Sequence, residues 1–320
     1  MNRVLVTGGT GFLGHHLVST LIERGCDVVA ASRTPPASSR RKLSWTKLDL
    51  DGSENPVQAP LHGIECLYHL AAHVHQKHSN EQDSKQFDQV NARATEKLAL
   101  QAASAGIKRF VFVSSIKVNG ERTLIRPFSA CDVPSPQDPY SCSKWQAEQA
   151  LADVSRRTGL EVVVVRPPLI YGPGVGANFY RLLSLVQSGW PLPLKVRANR
   201  RSLINVWNTV DFLWKVGTSK QAAGRTWLVS DDHDVSTEDL IRLVANSMGR
   251  GANFWPAPVL LLRTAARLLG RTEELSRLVD SLQIDMAETK NTLGWAPPVG
   301  LEEGIARTTE WFLETKRARS

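Results

Sequence analysis

Short, nearly unbroken apolar runs alternate with longer stretches of helical spacing through the first half of the chain. Val4–Thr7, Val28–Ser32, Leu43–Leu48, Cys66–Leu70, Arg109–Ser114 and Glu161–Arg166 are strand-like, rich in Val, Leu and aromatic residues, as strands buried on both faces are. His15 to Ile22 carries helical apolar spacing, and two longer helical patterns run from about Ser84 to Ala105 and from Pro139 to Thr158. That rhythm predicts an α/β fold, a doubly wound parallel sheet. In the second half Gly and Pro signals thicken, at Pro167-Pro168, Gly172-Pro173-Gly174, Pro191-Leu192-Pro193, Pro256-Ala257-Pro258 and Pro297-Pro298. They predict a core over 1–166 and a smaller C-terminal substrate lobe over most of 167–320, with about 201–230 returning to the core. No internal repeat or low-complexity tract interrupts this plan.

Composition changes the picture little. At 320 residues and 42% hydrophobic content the chain can bury one large core or two unequal lobes. Cys26, Cys66, Cys131 and Cys142 form no C-x-x-C pair, which fits a reducing compartment. The first strand begins at residue 3 and no apolar run reaches membrane-spanning length, so a cytoplasmic protein with no integral membrane contact is expected. A net charge of +8 raises nucleic acid as a partner, but the basic residues are dispersed and no nucleic-acid motif accompanies them. Phosphorylated small molecules account for the charge more economically.

The first candidate chemistry is the turn Thr7-Gly8-Gly9-Thr10-Gly11-Phe12-Leu13-Gly14 between the first strand and a helix. Gly9, Gly11 and Gly14 fit G-x-G-x-x-G, and Gly8, Gly11 and Gly14 fit G-x-x-G-x-x-G. Glycines there let a pyrophosphate approach the amides and the positive end of the helix, the Rossmann arrangement for dinucleotides. At the tip of the second strand, where an acidic residue would bind both ribose hydroxyls, the chain has Ser32-Arg33. A hydroxyl and a guanidinium suit a 2′-phosphate, so NADP(H) is expected over NAD(H). Arg40 and Arg41 add positive charge nearby.

The second is Tyr140-Ser141-Cys142-Ser143-Lys144, with Asp138 as helix cap and Pro139 in the first position. Tyr140 and Lys144, four residues apart, share one helical face. A nearby ammonium favours the phenolate and is expected to lower the Tyr140 pKa toward working pH, for proton exchange with a substrate oxygen. The strand Phe110-Val111-Phe112-Val113-Ser114-Ser115 offers a hydroxyl at the same sheet edge.

With these motifs the chain resembles the extended short-chain dehydrogenase/reductase family, in its nucleotide-sugar epimerase/dehydratase/reductase branch. The resemblance covers nearly the whole chain: TGGTGFLG, LDL at 48–50, HLAA at 69–72, VNARAT at 90–95, VSSIKVNGE at 113–121, YSCSK, RPPLIYGPG at 166–174 and NRRSLINVWNTVDF at 199–212. It implies Tyr140 as general acid/base, Lys144 on the nicotinamide ribose, and Ser115 on the sugar oxygen. It also implies Gly8, Gly11, Phe12, Leu13 and Gly14 around the pyrophosphate, Asp49 and Leu50 at the adenine, and Leu70, Ala71 and Ala72 along the pyrophosphate and ribose. Asn91 would support the cofactor site, with Pro167 and Ile170 near the nicotinamide. The two long helical patterns suit the family's usual homodimer bundle.

Departures from the family's sub-patterns narrow the reaction. The 4,6-dehydratases carry an Asp-Glu pair after the catalytic hydroxyl residue, where this chain has Ile116 and Lys117. Epimerases usually have an acidic residue at the ribose position, and often an Asn where this chain has Leu169. The segment from Arg166 to Leu194 with NRRSLINV looks most like bacterial reductases of UDP-4-keto-6-deoxy-N-acetylhexosamines in surface polysaccharide assembly (O-antigen, lipopolysaccharide). There Asn178 would touch the nucleotide, Arg201 the diphosphate, and Arg200 and Arg277 would lie beside them. NADPH-dependent reduction of the C4 ketone of such a UDP-linked amino sugar is the expected activity. The alternatives are a 4-epimerase of a UDP- or lipid-linked N-acetylhexosamine and a non-catalytic dinucleotide sensor.

Other features weigh less. His69, His73, His75 and His78 crowd one segment without a carboxylate or cysteine at ligand spacing, so no metal is expected. Leu260 to Leu269, with Arg263, Arg267 and Arg271, reads as a substrate-lobe helix with a solvated basic face, or one that meets a membrane surface. The Trp residues at 190, 207, 214, 227, 255, 295 and 311 are expected in the packing of core and lobe.

Overall fold

The computed structural model describes residues 1–37, 41–50, 60–73, 86–191, 198–255, 259–268, 270 and 272–318. The apolar runs form β1 (Arg3–Thr7), β2 (Asp27–Ser32), β4 (Cys66–His69), β5 (Arg109–Val113) and β6 (Glu161–Arg166), each buried along nearly all its length. β3 (Leu43–Lys47) is half-exposed, and β9 (Thr226–Leu228) is short. They assemble in the order β3-β2-β1-β4-β5-β6-β9, with every neighbouring pair parallel. The winding direction reverses between β1 and β4, which opens a crevice at their C-terminal ends, at Thr7 and His69.

Alternation along each strand feeds two cores. Val4, Val6, Val111 and Val163 point to one face, with Leu17 and Leu21 of α1 (Phe12–Glu23) and Phe212 of α5 (Val206–Thr218). Leu5, Leu67, Phe110 and Phe112 point to the other, with Leu98 of α2 (Ala94–Ser104) and Leu151 of α3 (Pro139–Thr158). The helix expected over 84–105 has its first two residues outside the described set. Its described part opens as a π-helical turn, Phe87–Arg93, before becoming α-helical at Ala94. α3 begins in a capping box: Asp138 Oδ1 accepts from the Ser141 amide at 2.6 Å, and Ser141 Oγ accepts from the Asp138 amide at 3.1 Å.

The smaller lobe is built on a two-stranded parallel sheet, β7 (Leu169–Tyr171) with β8 (Leu203–Asn205). Its core joins Tyr171 to α4 (Ala177–Ser188), α6 (Thr237–Ser247) and α10 (Leu301–Arg317) through Phe179, Leu183, Val244, Ile305 and Phe312. α7 (Val259–Leu268) and α8 (Thr272–Val279) pack on each other, and α9 (Ala287–Leu293) follows. After β8 the chain returns: α5 lies on α1, and β9 closes the sheet edge. A second return, which the sequence did not signal, brings Leu282, Ile284, Met286, Leu293 and Trp295 into the α1-side core.

One buried carboxylate clasps these pieces. Asp231 accepts hydrogen bonds from the Tyr171 hydroxyl at 2.8 Å, the Asn205 amide at 3.0 Å, Asn205 Nδ2 at 3.0 Å and Asn208 Nδ2 at 2.6 Å. The same two asparagine amides reach the Val299 carbonyl at 3.2 and 2.8 Å. Desolvation raises the Asp231 pKa against those bonds.

Two tryptophans correct the packing expectation, for Trp190 is 74% and Trp255 68% exposed. Gly189, at φ 73°, ends α4 and turns Trp190 outward, while Phe254 takes the inward place beside Trp255, under the Arg242 guanidinium at 4.8 Å. Trp227 and Trp295 are buried, and Trp207, Trp214 and Trp311 partly so. No described helix is long and apolar enough to cross a membrane. Arg40, His75, His78, Arg271 and the Pro256–Pro258 segment lie outside the described residues.

Candidate functional site at the sheet's C-terminal edge

β1 ends in the glycine turn. A Cβ on Gly14 would stand 2.1 Å from the Gly8 carbonyl oxygen, and one on Gly8, at φ 73°, would stand 2.9 Å from the Ala71 amide nitrogen. Only bare backbone brings α1 so close to the strand. No side chain caps α1, so its first amides face the crevice without an intrahelical partner. Phe12 and Leu13 are half-buried in that first turn. The Gly172-Pro173-Gly174 loop folds onto the same helix, where His16 Nε2 donates to the Pro173 carbonyl at 2.8 Å.

At the tip of β2, Ser32 is buried and its hydroxyl has no hydrogen-bond partner, while Arg33 beside it is exposed. The chain after β3 runs alongside, with the Leu48 amide donating to the Ser32 carbonyl at 3.0 Å, and carries exposed Asp49 and buried Leu50. The orphaned hydroxyl at the tip of β2 and the glycine cradle after β1 stand on adjacent strands, and the cradle fits the pyrophosphate of a dinucleotide.

Across the crevice, Leu70, Ala71 and Ala72 are half-buried. A directional relay fixes them. Thr95 Oγ1 donates to the Asn91 carbonyl at 2.8 Å, so it accepts from His69 Nε2 at 2.9 Å. His69 Nδ1 then accepts from Thr7 Oγ1 at 2.7 Å, and Thr7 Oγ1 accepts from the Ala71 amide at 3.2 Å. Burial, helped by Lys144, pushes the His69 pKa down to about 3, so the ring is a neutral structural member and not a ligand. Among the described residues no group of His, Cys, Asp and Glu could hold a metal ion. The Asn91 side chain continues the brace: Oδ1 accepts from the His73 amide at 2.7 Å, and Nδ2 donates to Ser143 Oγ of α3 at 3.0 Å. Thr7, Thr95 and Ser143 fall within the sequence motifs, but the sequence gives no sign of their bracing role, because their partners lie far along the chain.

The end of β5 meets the start of α3. Lys144 is fully buried, donates to the Val113 carbonyl at 2.9 Å, and lies 4.5 Å from the Phe112 ring and 5.9 Å from the Tyr140 ring. Ser115, two residues beyond Val113, caps a 3-10 turn by accepting from the Lys117 amide at 3.3 Å. The Ile116 amide donates to the Pro167 carbonyl at 3.0 Å, and Ile170 follows half-buried on β7. The Lys117 ammonium is held between Glu121 at 2.8 Å and Asp138 at 2.5 Å. Tyr140 and Lys144 thus stand together against the end of β5, the strand that leads into Ser115.

The expected lowering of the Tyr140 pKa is corrected. Burial raises it and the Asp138 carboxylate adds to the rise, whereas Lys144 is itself brought down to about 7 by burial, opposed by Glu148. The phenol therefore holds its proton at neutral pH.

In the smaller lobe Arg201 is half-buried, donates to the Asp280 carbonyl at 2.9 Å, and has Glu121 and Arg277 as charged neighbours. Asn178 and Arg200 are exposed. A groove of about 470 Å³ between α6 and α10, lined by Ser247, Arg307, Glu310 and Arg317, contains none of these residues.

Residues 4–230 match the NAD dependent epimerase/dehydratase family. A UDP-glucose 4-epimerase of Vibrio cholerae is 37% identical over 97% of this chain and 95% of its own length. Among solved structures, MoeE5 in complex with UDP-glucose and NAD is 27% identical, with a TM-score of 0.73 over 100% of both chains. The UDP-glucose 4-epimerase of Thermotoga maritima with UDP-glucose is 22% identical, with a TM-score of 0.77 over 98% of this chain and 99% of that one, and so shares the fold.

Proposed function

The chain belongs to the NAD dependent epimerase/dehydratase family, and on that premise we propose that it reduces the C4 ketone of a UDP-4-keto-6-deoxy-N-acetylhexosamine with NADPH. One observation carries the choice of reduction: the tip of β2 presents a buried, unpartnered Ser32 hydroxyl beside the Arg33 guanidinium, which suits a 2′-phosphate and an exchangeable cofactor. When bound, the nicotinamide supplies the hydride for the ketone carbon. Gly8, Gly11, Phe12, Leu13 and Gly14 hold the pyrophosphate, Asp49 and Leu50 flank the adenine, and Leu70, Ala71 and Ala72 line the opposite wall. Asn91 braces that wall against α3, while Pro167 and Ile170 border the nicotinamide.

The residues' own chemistry follows. Tyr140, which keeps its proton at neutral pH, donates it to the oxygen as negative charge develops there. Ser115 Oγ accepts from the Lys117 amide, which leaves its own O–H to donate to the same oxygen. Lys144 holds the ribose and places positive charge beside the phenol. Lys117, locked into two ion pairs, supplies no second acid/base for eliminating water. Arg201 and Arg277, with Arg200 and Asn178 nearer solvent, take the UDP moiety.

NADPH oxidation by the purified protein with UDP-4-keto-6-deoxy-N-acetylglucosamine tests the proposal, with NADH in parallel. Substrate-dependent oxidation that favours NADPH is expected. Absence of oxidation by protein that binds a dinucleotide would overturn it and favour the second reading, a 4-epimerase of a UDP- or lipid-linked N-acetylhexosamine. That reading draws on the 37% identity to the Vibrio cholerae enzyme, and it predicts conversion of substrate with no added reductant.

A further inference from the structure

α3 places Tyr140, Lys144 and Glu148 at intervals of four residues, so the three stand on one stripe of the helix. Glu148 is buried like Lys144, and its carboxylate is engaged at both oxygens. Arg166, the last residue of β6 and itself buried, donates Nε to Oε1 at 3.0 Å and Nη2 to Oε2 at 2.5 Å. Its remaining nitrogen, Nη1, donates to Asn119 Oδ1 at 2.9 Å. Ser114 Oγ adds a hydrogen bond to Glu148 Oε1 at 2.5 Å. Ser114 is the residue immediately before Ser115, so the carboxylate grips the strand end that presents the Ser115 hydroxyl.

Such a cluster is a poor investment in stability alone, since a buried ion pair commonly gains no more than well-packed apolar residues of the same volume. Its composition points elsewhere. Arg166 is ion-paired with the buried Glu148 carboxylate, and Lys144, one helical turn away and buried as well, feels the same charge. Among the described residues, the other titratable groups set against them are Tyr140 from α3 itself and the neutral His69 from β4. β5 contributes the Phe112 ring and the Val113 carbonyl.

We propose that Glu148 is a positioning residue of this centre: its carboxylate is the buried counter-charge of Lys144 and, through Ser114, fixes the strand end that carries Ser115. The assignment rests on the ketoreductase reading only for its effect on turnover. The electrostatic half is a property of the protein before any ligand binds, and it can be read there.

The decisive measurement is a pH titration of the Lys144 side chain by NMR in protein labelled with 13C at the lysine ε-carbon, the signal being assigned by its absence in Lys144→Arg. Glu148→Gln, which keeps the shape and most hydrogen bonds, is expected to move the Lys144 titration down by about one pH unit or more. Arg166→Gln relieves the competition for Glu148, so it is expected to move the same signal up. It also carries the test alone should the glutamine variant at 148 not fold. An unmoved Lys144 signal in a folded variant overturns the electrostatic half, whatever the enzyme turns over.

For the positional half, Ser114→Ala leaves every charge in place. It is expected to lower kcat about tenfold, in line with the loss of one buried charge-assisted hydrogen bond, with the Lys144 titration unchanged. A kcat equal to that of the parent protein overturns it. If the parent protein oxidises no NADPH, the ketoreductase reading fails while the titrations still decide the role of Glu148.

Discussion

Gly14→Ala isolates the cradle from the rest of the site. The added methyl carbon would stand 2.1 Å from the Gly8 carbonyl oxygen, 2.8 Å from the Gly8 carbonyl carbon and 2.9 Å from the Gly9 Cα. All three are backbone atoms of the turn, so no rotamer change relieves the overlap. Non-bonded carbon needs about 3.5 Å, and α1 must therefore retreat from the strand by about 1 Å or more. Overpacking of that size costs about 1–3 kcal/mol, and the turn's amides leave the positions that would meet the pyrophosphate. Loss of the same magnitude in binding is a drop of about tenfold to a hundredfold in dinucleotide affinity, measured by titration calorimetry, together with a lower Tm. Gly176→Ala is the control, for nothing lies within 4 Å of a Cβ at that position, at φ −108°, and affinity should hold. Equal affinity and Tm for Gly14→Ala and the parent protein would refute the cradle.

Three further outcomes are expected. Tyr140→Phe should keep dinucleotide affinity and lose turnover by about 10²–10⁴-fold, and steady-state kinetics that match the parent would remove the phenol from the proton transfer. Arg33→Asp should reverse the preference from NADPH to NADH, and paired kcat/KM values that still favour NADPH would show that this guanidinium does not read the phosphate. His69 bears on acid stability. Its folded pKa lies near 3 against an ordinary value of 6.5, so the unfolded chain binds the extra proton and stability falls as pH drops through that window. Urea midpoints measured across it should be flatter for His69→Asn, and an identical pH dependence would count against the buried neutral ring.

The central strands were legible because both their faces are buried, which makes β1, β2, β4, β5 and β6 continuous apolar runs. β7, β8 and β9 have three residues each, too few for any period, and β8 is followed at once by a helix whose asparagine cap gives no hint of a strand before it. Within the site, Tyr140, Lys144 and the glycines could be read because their geometry is local, set by a helical turn or by a tight bend. The Thr7, His69 and Thr95 relay could not, since its members are 62 and 26 residues apart. The direction of the Tyr140 shift failed for a related reason: spacing reveals the ammonium one turn away but not the burial of both groups, nor the Asp138 carboxylate at the helix cap.

The Asp231 clasp has a consequence for how the chain comes into being. The carboxylate gathers Tyr171, Asn205 and Asn208, and the two asparagines close on Val299, which is made long after Asp231 itself. A ribosome delivers the glycine turn and strands β1 to β6 before any of these partners, and well before Asp231 and Val299. The nascent protein can therefore raise the crevice that would hold a dinucleotide while the lobe above it is still unlatched, and the latch cannot close fully until Val299 has left the exit tunnel. A message cut short after β9 would encode the sheet without its fastening.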